Sequence, residues 1–386
     1  MVVTVISTMK PSVYSVVLNN FLNDSRVKKE AVSLASNGYQ VTVVALWENG
    51  LQISENFTDF SLIRIKLVSR NWPRILPFQV LKYLEFVVRA FFLVRKGDFI
   101  HCNDLDALTV GYFCKIFRFP RKAELKVIYD AHELETEVNG LTSFRKKIAK
   151  ILEKTMIGKA DALITVCDSI AEIYMDQYQI EKPFVVRNIP QFEEVNGSSL
   201  LRQIHDIPAN KFVFISQGML SPGRGLEILL DIAEQNQEDD FVVVFMGKGI
   251  LEERIQASAF NFDNVVFQPF VKSEEIISYT SSADCGICFF EDNCLSHHYV
   301  LPNKMFEYMM AEIPIVVSNL PEMQKFADET GVGFSAEQGS HEDLSRVMRK
   351  VMRLEKSAIK KKLIEAKKSY NWEGEEIVLL EAYKSA

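Results

Sequence analysis

The feature that most constrains the fold is a regular alternation of short, apolar, β-branched runs with longer segments of helical periodicity. Such alternation is typical of a parallel sheet with helices on both faces, because parallel strands need crossover connections. In the first half the predicted strands are Val2–Ile6, Val41–Leu46, Leu62–Lys66, Phe99–Cys102, Lys126–Tyr129, Ala162–Val166 and Phe184–Arg187. In the second half they are Phe212–Ser216, Phe241–Met246, Val265–Phe267, Asp284–Phe289, Ile315–Ser318 and Gly333–Ser335. Helices predicted with closing glycines are Ser25–Asn37 and Phe144–Ile157.

A polar segment divides this alternation into two halves. Residues 191–210 contain an Asn-Gly-Ser-Ser tetrapeptide and Pro208, and the strand–helix pattern begins again after them. A chain of 386 residues is also too long for one ordinary hydrophobic core. We therefore predict two Rossmann-like, doubly wound α/β domains, one over residues 1–190 and one from residue 211, joined by a linker at 191–210. Ligands of such sheets bind at the carboxyl ends of the strands, so we expect the site in a cleft between facing domains.

Composition excludes several classes of protein. The chain has 48% hydrophobic and 25% charged residues, which are values of a folded globular protein. The amino terminus lacks the pattern of a signal peptide. The most apolar long window, residues 75–94, is interrupted by Lys82, Glu85 and Arg89, so we predict no transmembrane helix. The six cysteines lie in apolar or mixed runs, and we expect reduced thiols in a cytoplasmic protein.

The charges are unevenly divided between the halves. Residues 1–190 contain 25 Lys and Arg against 20 Asp and Glu, whereas residues 191–386 contain 19 against 31. A basic first half on an acidic protein indicates an anionic partner, and the lack of a recognised nucleic-acid module argues against nucleic acid. Basic residues in segments 70–96 and 145–150 predict contact with the anionic inner face of the plasma membrane. The alternative is that residues 70–96 form a buried helix with a charged stripe.

One glycine-containing loop follows the first predicted strand of the second half. The strand ends near Gly218, and a helical pattern begins after Gly225. A strand that leads through such a loop into a helix presents free amide groups to an anion. Arg224, at the start of the helix, adds a planar donor suited to a diphosphate. A surface turn with a solvated arginine is the alternative.

A second loop, at Phe245–Gly249, follows the next strand. Gly247 and Gly249 flank Lys248 and would allow a nucleotide to approach the backbone closely. A plain strand-to-helix turn is an equally simple explanation of this short pattern.

The strongest motif lies within Tyr299–Val317. Pro302 favours the first turn of a helix, so we predict that a helix begins near Asn303. Its amino end would face a phosphate, with Lys304 in the first turn. Glu307, about one turn further on, is suited to accept hydrogen bonds from both ribose hydroxyls. The alternative is an amphipathic helix on which Glu307 is merely solvated.

These motifs resemble those of a known family. The segment Tyr299–Val317 resembles the donor-site signature of glycosyltransferase family 4, which has GT-B architecture, and Arg224–Leu226 is similar to that family's basic residue and glycine at the diphosphate. The resemblance extends over essentially the whole chain. Its other segments are Asp24–Val27, Asn103–Leu108, Tyr129–Leu134, Asn188–Pro190 and Asn371–Glu373.

The resemblance implies a retaining nucleotide-sugar glycosyltransferase that needs no metal or other cofactor. It also implies that the donor domain, residues 211–366, is followed by a helix at 367–386 that packs back on the first domain. The residues implied at the donor diphosphate are Arg224, Lys304, Asn303 and Gly218. Those implied at the nucleotide and ribose are Glu307, Gly247, Lys248 and Val271. Tyr299, Val300 and Leu301 are expected near the donor sugar, and His132, Asp104 and Asn103 in catalysis.

The sequence departs from the family pattern at four of these places. Tyr299 occupies the position of the first of two glutamates, and Asn103 stands where a histidine is frequent. Met219 replaces an arginine after Gly218, and Glu312 replaces the glycine that precedes a proline. These differences leave the donor base and sugar open.

Two patterns that suggest a metal have simpler explanations. Asp104-Leu105-Asp106 matches the DxD of metal-dependent sugar transferases, but it opens a predicted helix, where acidic residues are favoured. Cys285, Cys288, Cys294 and His297 have a zinc-like spacing. Residues 283–290, however, are predicted to form a buried strand, in which side chains three apart point to opposite faces. We therefore predict no metal site.

The leading hypothesis is a glycosyltransferase that moves a sugar from a nucleotide-diphosphate donor to a lipid-linked or polysaccharide acceptor during capsule, O-antigen or exopolysaccharide assembly. Two alternatives remain. One is a sugar-nucleotide epimerase of the same architecture, and the other is a non-catalytic GT-B subunit that binds or chaperones a partner.

Overall fold

The computed structural model describes residues 10–117, 124–195, 197–237 and 240–386. These residues form two compact units. Unit 1 consists of Met1–Thr136, Leu141–Val186 and Glu376–Ala386, and unit 2 of Glu137–Gly140 and Arg187–Glu375. Each unit is built on its own sheet with helices on both faces, as the alternation in the sequence predicts.

The sheet of unit 1 has eight strands in the order β3-β4-β2-β1-β5-β6-β7-β8. All pairs are parallel except β3 with β4 at one edge. The order reverses between β1 and β5, which places a topological switch point there. The strands are β1 (Ser12–Val16), β2 (Gln40–Leu46), β3 (Ser54–Asn56), β4 (Ser61–Ile65), β5 (Phe99–Asn103), β6 (Lys126–Ala131), β7 (Ala162–Thr165) and β8 (Phe184–Val185).

The first strand differs from the sequence prediction. The predicted strand Val2–Ile6 lies outside the described residues, and the central strand of unit 1 is β1, which was not predicted. In β1, which follows Lys10-Pro11 directly, Ser and Tyr alternate with valines. This segment is less apolar than residues 2–6, so the hydrophobic pattern favoured residues 2–6 as the strand. The other predicted strands of this half are confirmed with ends that shift by at most two residues.

Five helices connect the strands of unit 1. The first is capped by Asp24, whose side chain accepts from the Val27 amide, as expected of an N-cap aspartate. The helices are α1 (Ser25–Ser36), α2 (Leu76–Val94), α3 (Asp104–Ile116), α4 (Ser143–Ile157) and α5 (Asp168–Tyr178). The third helix contacts both α2 and α4, so these three form one layer.

The sheet of unit 2 has six parallel strands in the order β11-β10-β9-β12-β13-β14. The order reverses between β9 and β12, so the switch point of this unit lies at the carboxyl ends of those two strands. The strands are β9 (Phe212–Met219), β10 (Phe241–Lys248), β11 (Val265–Pro269), β12 (Cys285–Cys288), β13 (Ile315–Ser318) and β14 (Gly333–Ala336).

Both faces of this sheet are covered. Alternate strand residues enter two separate apolar cores: Val243 and Phe245 of β10 pack on one side, and Val242, Val244 and Met246 on the other. Continuous apolar strands of this kind are expected where a parallel sheet is buried on both faces. The helices are α6 (Leu200–Ile204), α7 (Leu226–Gln235), α8 (Glu252–Asn261), α9 (Ile276–Thr280), α10 (Leu295–His298), α11 (Asn303–Met310), α12 (Pro321–Thr330), α13 (His341–Met352) and α14 (Lys356–Ser369).

The segment predicted as a linker contains structure of its own. Helix α6 lies within residues 191–210, and its Leu201 is fully buried in a core of unit 2 together with Ile207. Polar composition alone did not reveal this short helix.

The last helix, α15 (Trp372–Ser385), begins in unit 2, and its residues from Glu376 onward belong to unit 1. Within unit 1 the Tyr383 hydroxyl lies 2.9 Å from His101 Nδ1. Residues 376–386, which were expected to pack back on the first domain, belong to unit 1 in this structure. Across the described residues, no helix is both long enough and apolar enough to cross a membrane.

Candidate functional site

The switch point of unit 2 is shaped by the loop between β9 and α7. Gly225 precedes the helix in a left-handed conformation, with φ of 64°. A Cβ at this position would lie 2.6 Å from the Phe289 ring, so only glycine allows the loop to approach β12 this closely. The loop brings Arg224 to the carboxyl ends of the two central strands.

Arg224 and Lys304 meet at one aromatic ring. The Arg224 guanidinium carbon lies 5.2 Å from the Phe290 ring centroid, and the Lys304 Nζ lies 5.3 Å from it. Lys304 is only 8% exposed, and burial lowers the pKa of its ammonium group, with the positive charge of Arg224 acting in the same direction. Arg224 and Lys304 repel each other, and both are partly shielded from water. An anion bound beside them would therefore stabilise this site.

The helix predicted from Pro302 and Asn303 is confirmed as α11, whose first residue is Asn303. Its N-cap residue, Pro302, makes no side-chain cap bond, and backbone amides at the amino end of a helix favour an anion. One turn later, the Glu307 carboxylate accepts a hydrogen bond of 2.6 Å from Gln217 Nε2. The sequence analysis missed Gln217, although a polar residue at the end of an apolar strand was a visible signal.

Tyr308 fastens this helix to the sheet. Its hydroxyl accepts from the Gln217 amide at 3.0 Å and donates to the Ile287 carbonyl at 3.3 Å. The ring packs directly on Gly286 of β12, where an added Cβ would lie 2.2 Å from a ring carbon. Because Tyr308 is hydrogen-bonded to both β9 and β12, it also holds the adjacent residue, Glu307, in place.

The second predicted loop lies beside the first. Gly247 of β10 pairs with Gly218 of β9, and a Cβ at Gly247, which has φ of 151°, would lie 1.8 Å from the Gly218 carbonyl oxygen. Lys248 Nζ lies 4.5 Å from the centroid of the Phe270 ring. The Val271 side chain is buried in the apolar core, so this residue offers a ligand its backbone rather than its side chain.

The residues expected near the donor sugar lie between α10 and α11. The Tyr299 ring makes an edge contact with His298, with 4.6 Å between centroids. Val300 and Leu301 are half-buried and pack against the core of unit 2. They support the start of α11, and their role toward a sugar stays a prediction.

Unit 1 places its candidate catalytic residues at the carboxyl ends of β5 and β6. The His132 side chain, 21% exposed, lies between two carboxylates: Nε2 is 3.1 Å from Asp130 Oδ2, and Nδ1 is 3.3 Å from Asp104 Oδ1. Burial by itself would lower the pKa of His132, but the charges of Asp104 and Asp130 outweigh it and raise the pKa to about 9. With an acceptor at each ring nitrogen, His132 is held as an imidazolium and donates hydrogen bonds.

Asp104 adopts an unusual backbone conformation to reach His132. Its φ is 64°, a left-handed value that costs free energy for a residue other than glycine. Its Oδ1 also accepts from the His132 amide at 3.3 Å. The strained residue and the histidine thus form one rigid pair at the edge of the sheet.

Asn103 is more deeply buried than the other two catalytic candidates, Asp104 and His132. It is 1% exposed, and its Nδ2 donates to Ser15 Oγ and to the Val16 carbonyl, both at 2.9 Å. The side chain therefore ties β5 to β1, and its assignment to catalysis stays a prediction.

A buried ionic network lies beneath His132. Arg26 makes a bidentate pair with Asp130, with bonds of 2.9 and 2.7 Å, and its Nε lies 3.1 Å from Glu30. His101 Nε2 lies 3.4 Å from Glu30 Oε2. Burial would raise the pKa of Asp130, but the charges of Arg26 and His132 hold it well below its usual value. Burial and the charge of Asp130 raise the pKa of Glu30 to about 7.

The sequence analysis missed most of this network. Asp130 and His132 are two residues apart at a strand end, and this spacing would have placed both side chains on one face. The contacts of Arg26 and His101 join residues far apart in the chain, for which one sequence carries no signal. Glu30, His101 and Asp130 are the only group among the described residues that is close enough to share a metal ion. Among these three residues, the Arg26 guanidinium already supplies the positive charge that a metal ion would bring.

Titration of His132 is expected to make unit 1 less stable at alkaline pH. Because its folded pKa is raised, its contribution is complete below the unfolded value, near 6.5, and is lost as pH rises through about 9. We expect the unfolding free energy of the native protein, relative to that of a His132→Gln variant, to fall by roughly 1–3 kcal/mol over this window. Urea unfolding at pH 6.5, 7.5, 8.5 and 9.5 measures this difference, and parallel curves for the two proteins would contradict it.

The cysteines do not form the zinc arrangement that their spacing suggests. Cys285 and Cys288 are both buried in β12 and enter the cores on opposite sides of the sheet, so they cannot ligate one ion. Burial raises the pKa of the Cys288 thiol to about 11. The six cysteines all lie within the described residues, and none of them forms a disulfide in this structure.

Comparisons with known proteins agree with this architecture. Residues 26–189 match the family model described as Glycosyltransferase Family 4, and residues 198–370 match the model described as Glycosyl transferases group 1. The two matches span most of the chain and fall on its two halves in order. A sequence comparison with curated proteins finds no match.

Solved structures with the same fold include sucrose-phosphate synthase from Thermosynechococcus elongatus, with a TM-score of 0.79 and 15% identity over 97% of this chain and 98% of that one. Another is HepE from Anabaena in complex with UDP and glucose, with a TM-score of 0.73 and 14% identity over 97% and 100% of the chains. A third is WaaG, a glycosyltransferase involved in lipopolysaccharide biosynthesis, with a TM-score of 0.66 and 14% identity over 93% and 95%. Together with the two family matches, these findings show a glycosyltransferase of GT-B fold, whose first half belongs to Glycosyltransferase Family 4 and whose second half belongs to glycosyl transferases group 1.

Proposed function

We propose that this glycosyltransferase uses a nucleoside-diphosphate sugar as donor and transfers the sugar with retention of anomeric configuration. The observation that carries the proposal is the pair of cations, Arg224 and Lys304, on the Phe290 ring at the switch point of unit 2. A diphosphate brings the negative charge that this pair of cations favours, and the amino end of α11, which follows Pro302, adds amide donors. HepE, a protein of the same fold, has structures in complex with UDP and with UDP-glucose, which supports UDP among the donor nucleotides.

The transfer step requires stabilisation of the departing nucleoside diphosphate. Negative charge grows on its oxygens as the bond to the sugar breaks, and fixed cations and amide groups supply the largest contribution in such steps. We assign this role to Arg224, Lys304 and the amide of Asn303, so that no metal ion is required. Glu307 would bind the ribose, and the loops at Gly218, Gly247 and Lys248 would border the nucleotide. His132 as an imidazolium, fixed by Asp104, would donate to a hydroxyl of the sugar or the acceptor.

The acceptor is proposed to be lipid-linked or a growing polysaccharide in bacterial surface glycan assembly. WaaG, which has the same fold, is involved in lipopolysaccharide biosynthesis, and this supports the class of pathway. A lipid-linked acceptor would require the enzyme to work at the inner face of the plasma membrane, as a peripheral protein from the cytoplasm.

A surface of unit 1 supports membrane contact. Five apolar residues recur every fourth position along α2 and are all about half exposed, between 46% and 59%. They are Leu76, Val80, Leu84, Val88 and Phe92. One face of α2 is buried, as in the alternative of a buried helix with a charged stripe, but its exposed face also carries this apolar stripe. An apolar stripe of this length on a globular protein indicates a partner.

Helix α4, in the same layer, carries a second exposed apolar stripe. It consists of Phe144, Ile148, Ile151 and Leu152, of which Phe144 is 72% exposed. The same helix also carries exposed basic residues: Arg145, Lys147 and Lys154. Apolar stripes that alternate with basic residues match the boundary between anionic headgroups and acyl chains, so we propose an anionic bilayer, rather than a second copy of the chain, as the partner of α2 and α4.

Charge in the stripe of α2 should weaken membrane binding. We expect the Leu84→Glu/Val88→Glu variant to bind anionic vesicles at least about tenfold more weakly, because each apolar side chain contributes about 1.5–3 kcal/mol when buried. Co-sedimentation with vesicles of phosphatidylcholine, with and without phosphatidylglycerol, measures the effect at low and high salt. The matched control is Phe260→Glu on α8, a residue that is 90% exposed. Equal binding to neutral and anionic vesicles at low salt, or a dimer that the double variant dissociates, would contradict the proposal.

The proposed activity is tested by a nucleotide panel followed by product analysis. Thermal-shift screening with UDP, GDP, CMP and ADP sugars should show stabilisation by one or more nucleoside-diphosphate sugars. Product analysis without acceptor separates the alternatives, because an epimerase converts the donor on its own whereas a transferase requires an acceptor. A non-catalytic subunit would bind no nucleotide, or bind one without turnover, and either result would refute the proposal.

A further inference from the structure

Gln217 is a buried amide at the carboxyl end of β9, and both ends of its side chain are hydrogen-bonded. Its Nε2 donates to Glu307 Oε2 at 2.6 Å, and its Oε1 accepts from Thr280 Oγ1 at 2.7 Å. These partners fix the orientation of the amide, because a carboxylate only accepts whereas a hydroxyl can donate. Gln217 is 5% exposed and Thr280 is fully buried, so bulk water does not compete for these bonds.

The backbone of the same residue holds the next residue of α11. The Gln217 amide donates to the Tyr308 hydroxyl, which in turn donates to the Ile287 carbonyl of β12. Two successive residues of α11, Glu307 and Tyr308, are therefore bound to one residue of β9, the first through its side chain and the second through its backbone.

The buried amide is not required for packing. An apolar side chain at position 217 would continue the apolar run of β9, whereas an amide must find partners for all its polar atoms or lose free energy. The acidic group that Gln217 contacts is Glu307, which accepts this bond at 2.6 Å, and hydrogen bonds to a carboxylate are stronger than those between neutral groups. The effect of this amide is therefore exerted on the Glu307 carboxylate.

We propose that Gln217 is a positioning residue that holds the Glu307 carboxylate in one orientation for the two ribose hydroxyls, and that it thereby sets the preference of the site for ribonucleotides over 2′-deoxyribonucleotides. The inference rests on the proposed function, in which Glu307 binds the donor ribose. A carboxylate that accepts from two adjacent hydroxyls must hold one rotamer, and the bond from Gln217 stabilises one rotamer over the others.

The experiment compares affinities for nucleotides that differ by one hydroxyl. Calorimetric titrations of UDP and 2′-deoxy-UDP, with GDP and 2′-deoxy-GDP in parallel, give the ratio of affinities for the native protein and for Gln217→Met. We expect this ratio to fall roughly tenfold in Gln217→Met, because a hydrogen bond to a charged group is lost. The affinity for the 2′-deoxynucleotide should change little. In Glu307→Ala the ratio should approach one, and adding Gln217→Met should lower it no further.

The control separates positioning from a general loss of stability. Asn264 lies at the amino end of β11, so it is at the opposite edge of the sheet from Gln217. It is also 5% exposed, and its side chain donates a hydrogen bond of 2.7 Å to the Ala233 carbonyl. We expect Asn264→Leu to destabilise the protein without changing the ratio. An unchanged ratio in Gln217→Met would overturn the inference while leaving the proposed function intact. If the native protein binds neither these four nucleotides nor any other nucleoside diphosphate, both are overturned.

Discussion

Replacement of Lys304 by methionine is expected to abolish most of the activity without weakening the fold. The ammonium group is buried and lies near the positive charge of Arg224, and both effects lower its pKa. Its removal takes away a charge that the folded protein holds at a cost, whereas the transition state loses a cation at the leaving diphosphate. We expect kcat to fall about 100- to 1,000-fold and the melting temperature not to decrease.

Steady-state kinetics with the donor identified by the panel, and melting curves with and without the nucleoside diphosphate, check this prediction. The nucleotide should raise the melting temperature of the native protein and not of Lys304→Met. Arg224→Ala should lose turnover similarly. The matched control is Arg254→Ala, since Arg254 is a half-exposed cation of the same unit that pairs with Asp231. Full activity in both Lys304→Met and Arg224→Ala would refute the assignment of the diphosphate site.

Replacement of Asp130 by alanine is expected to destabilise unit 1 by about 3–5 kcal/mol, because it leaves the Arg26 guanidinium buried beside a weaker partner. Arg26 is 3% exposed and Asp130 fully buried, so solvent cannot replace the lost carboxylate. His132 would also lose the contact at its Nε2. The pKa of His132 should therefore move down from about 9 toward its ordinary value.

The midpoint of urea unfolding, followed by tryptophan fluorescence, measures the loss. Two of the three tryptophans, Trp47 and Trp72, lie in unit 1. Asp231→Ala, which breaks an exposed pair with Arg254, should cost less than about 1 kcal/mol. The double variant Arg26→Met/Asp130→Leu should recover part of the loss, because a well-packed apolar pair replaces a buried ion pair at little cost. A loss in Asp130→Ala no larger than that in Asp231→Ala would show that the network contributes no more than a surface pair.

The sequence predicted the elements better than their contacts. Apolar runs such as Phe241–Met246 and Ile315–Ser318 were recognised as strands because burial on both faces of a parallel sheet demands continuous apolar residues. The central strand Ser12–Val16 was missed because its serines interrupt that signal. Helix α6 was missed because five residues carry too little periodicity to distinguish a helix from a polar linker.

In the candidate site, too, residues in local patterns were predicted from the sequence, whereas contacts between distant residues were not. Arg224, Lys304 and Glu307 were predicted because each lies in a local pattern of strand end, proline and helix start. The exposure of the apolar stripe on α2 was not predicted, because periodicity shows that one face is apolar and not whether another element covers it. Gln217 and the network around Arg26 depend on contacts between distant parts of the chain, which local patterns do not contain.

The contact between Gly286 and the ring of Tyr308 has an evolutionary consequence. Since any side chain at 286 would occupy the space of that ring, a larger residue at 286 should occur only in lineages of this enzyme that have also lost the tyrosine. Where the tyrosine is lost, its hydroxyl link to β9 is lost with it, so such lineages should also show relaxed selection on the amide at 217.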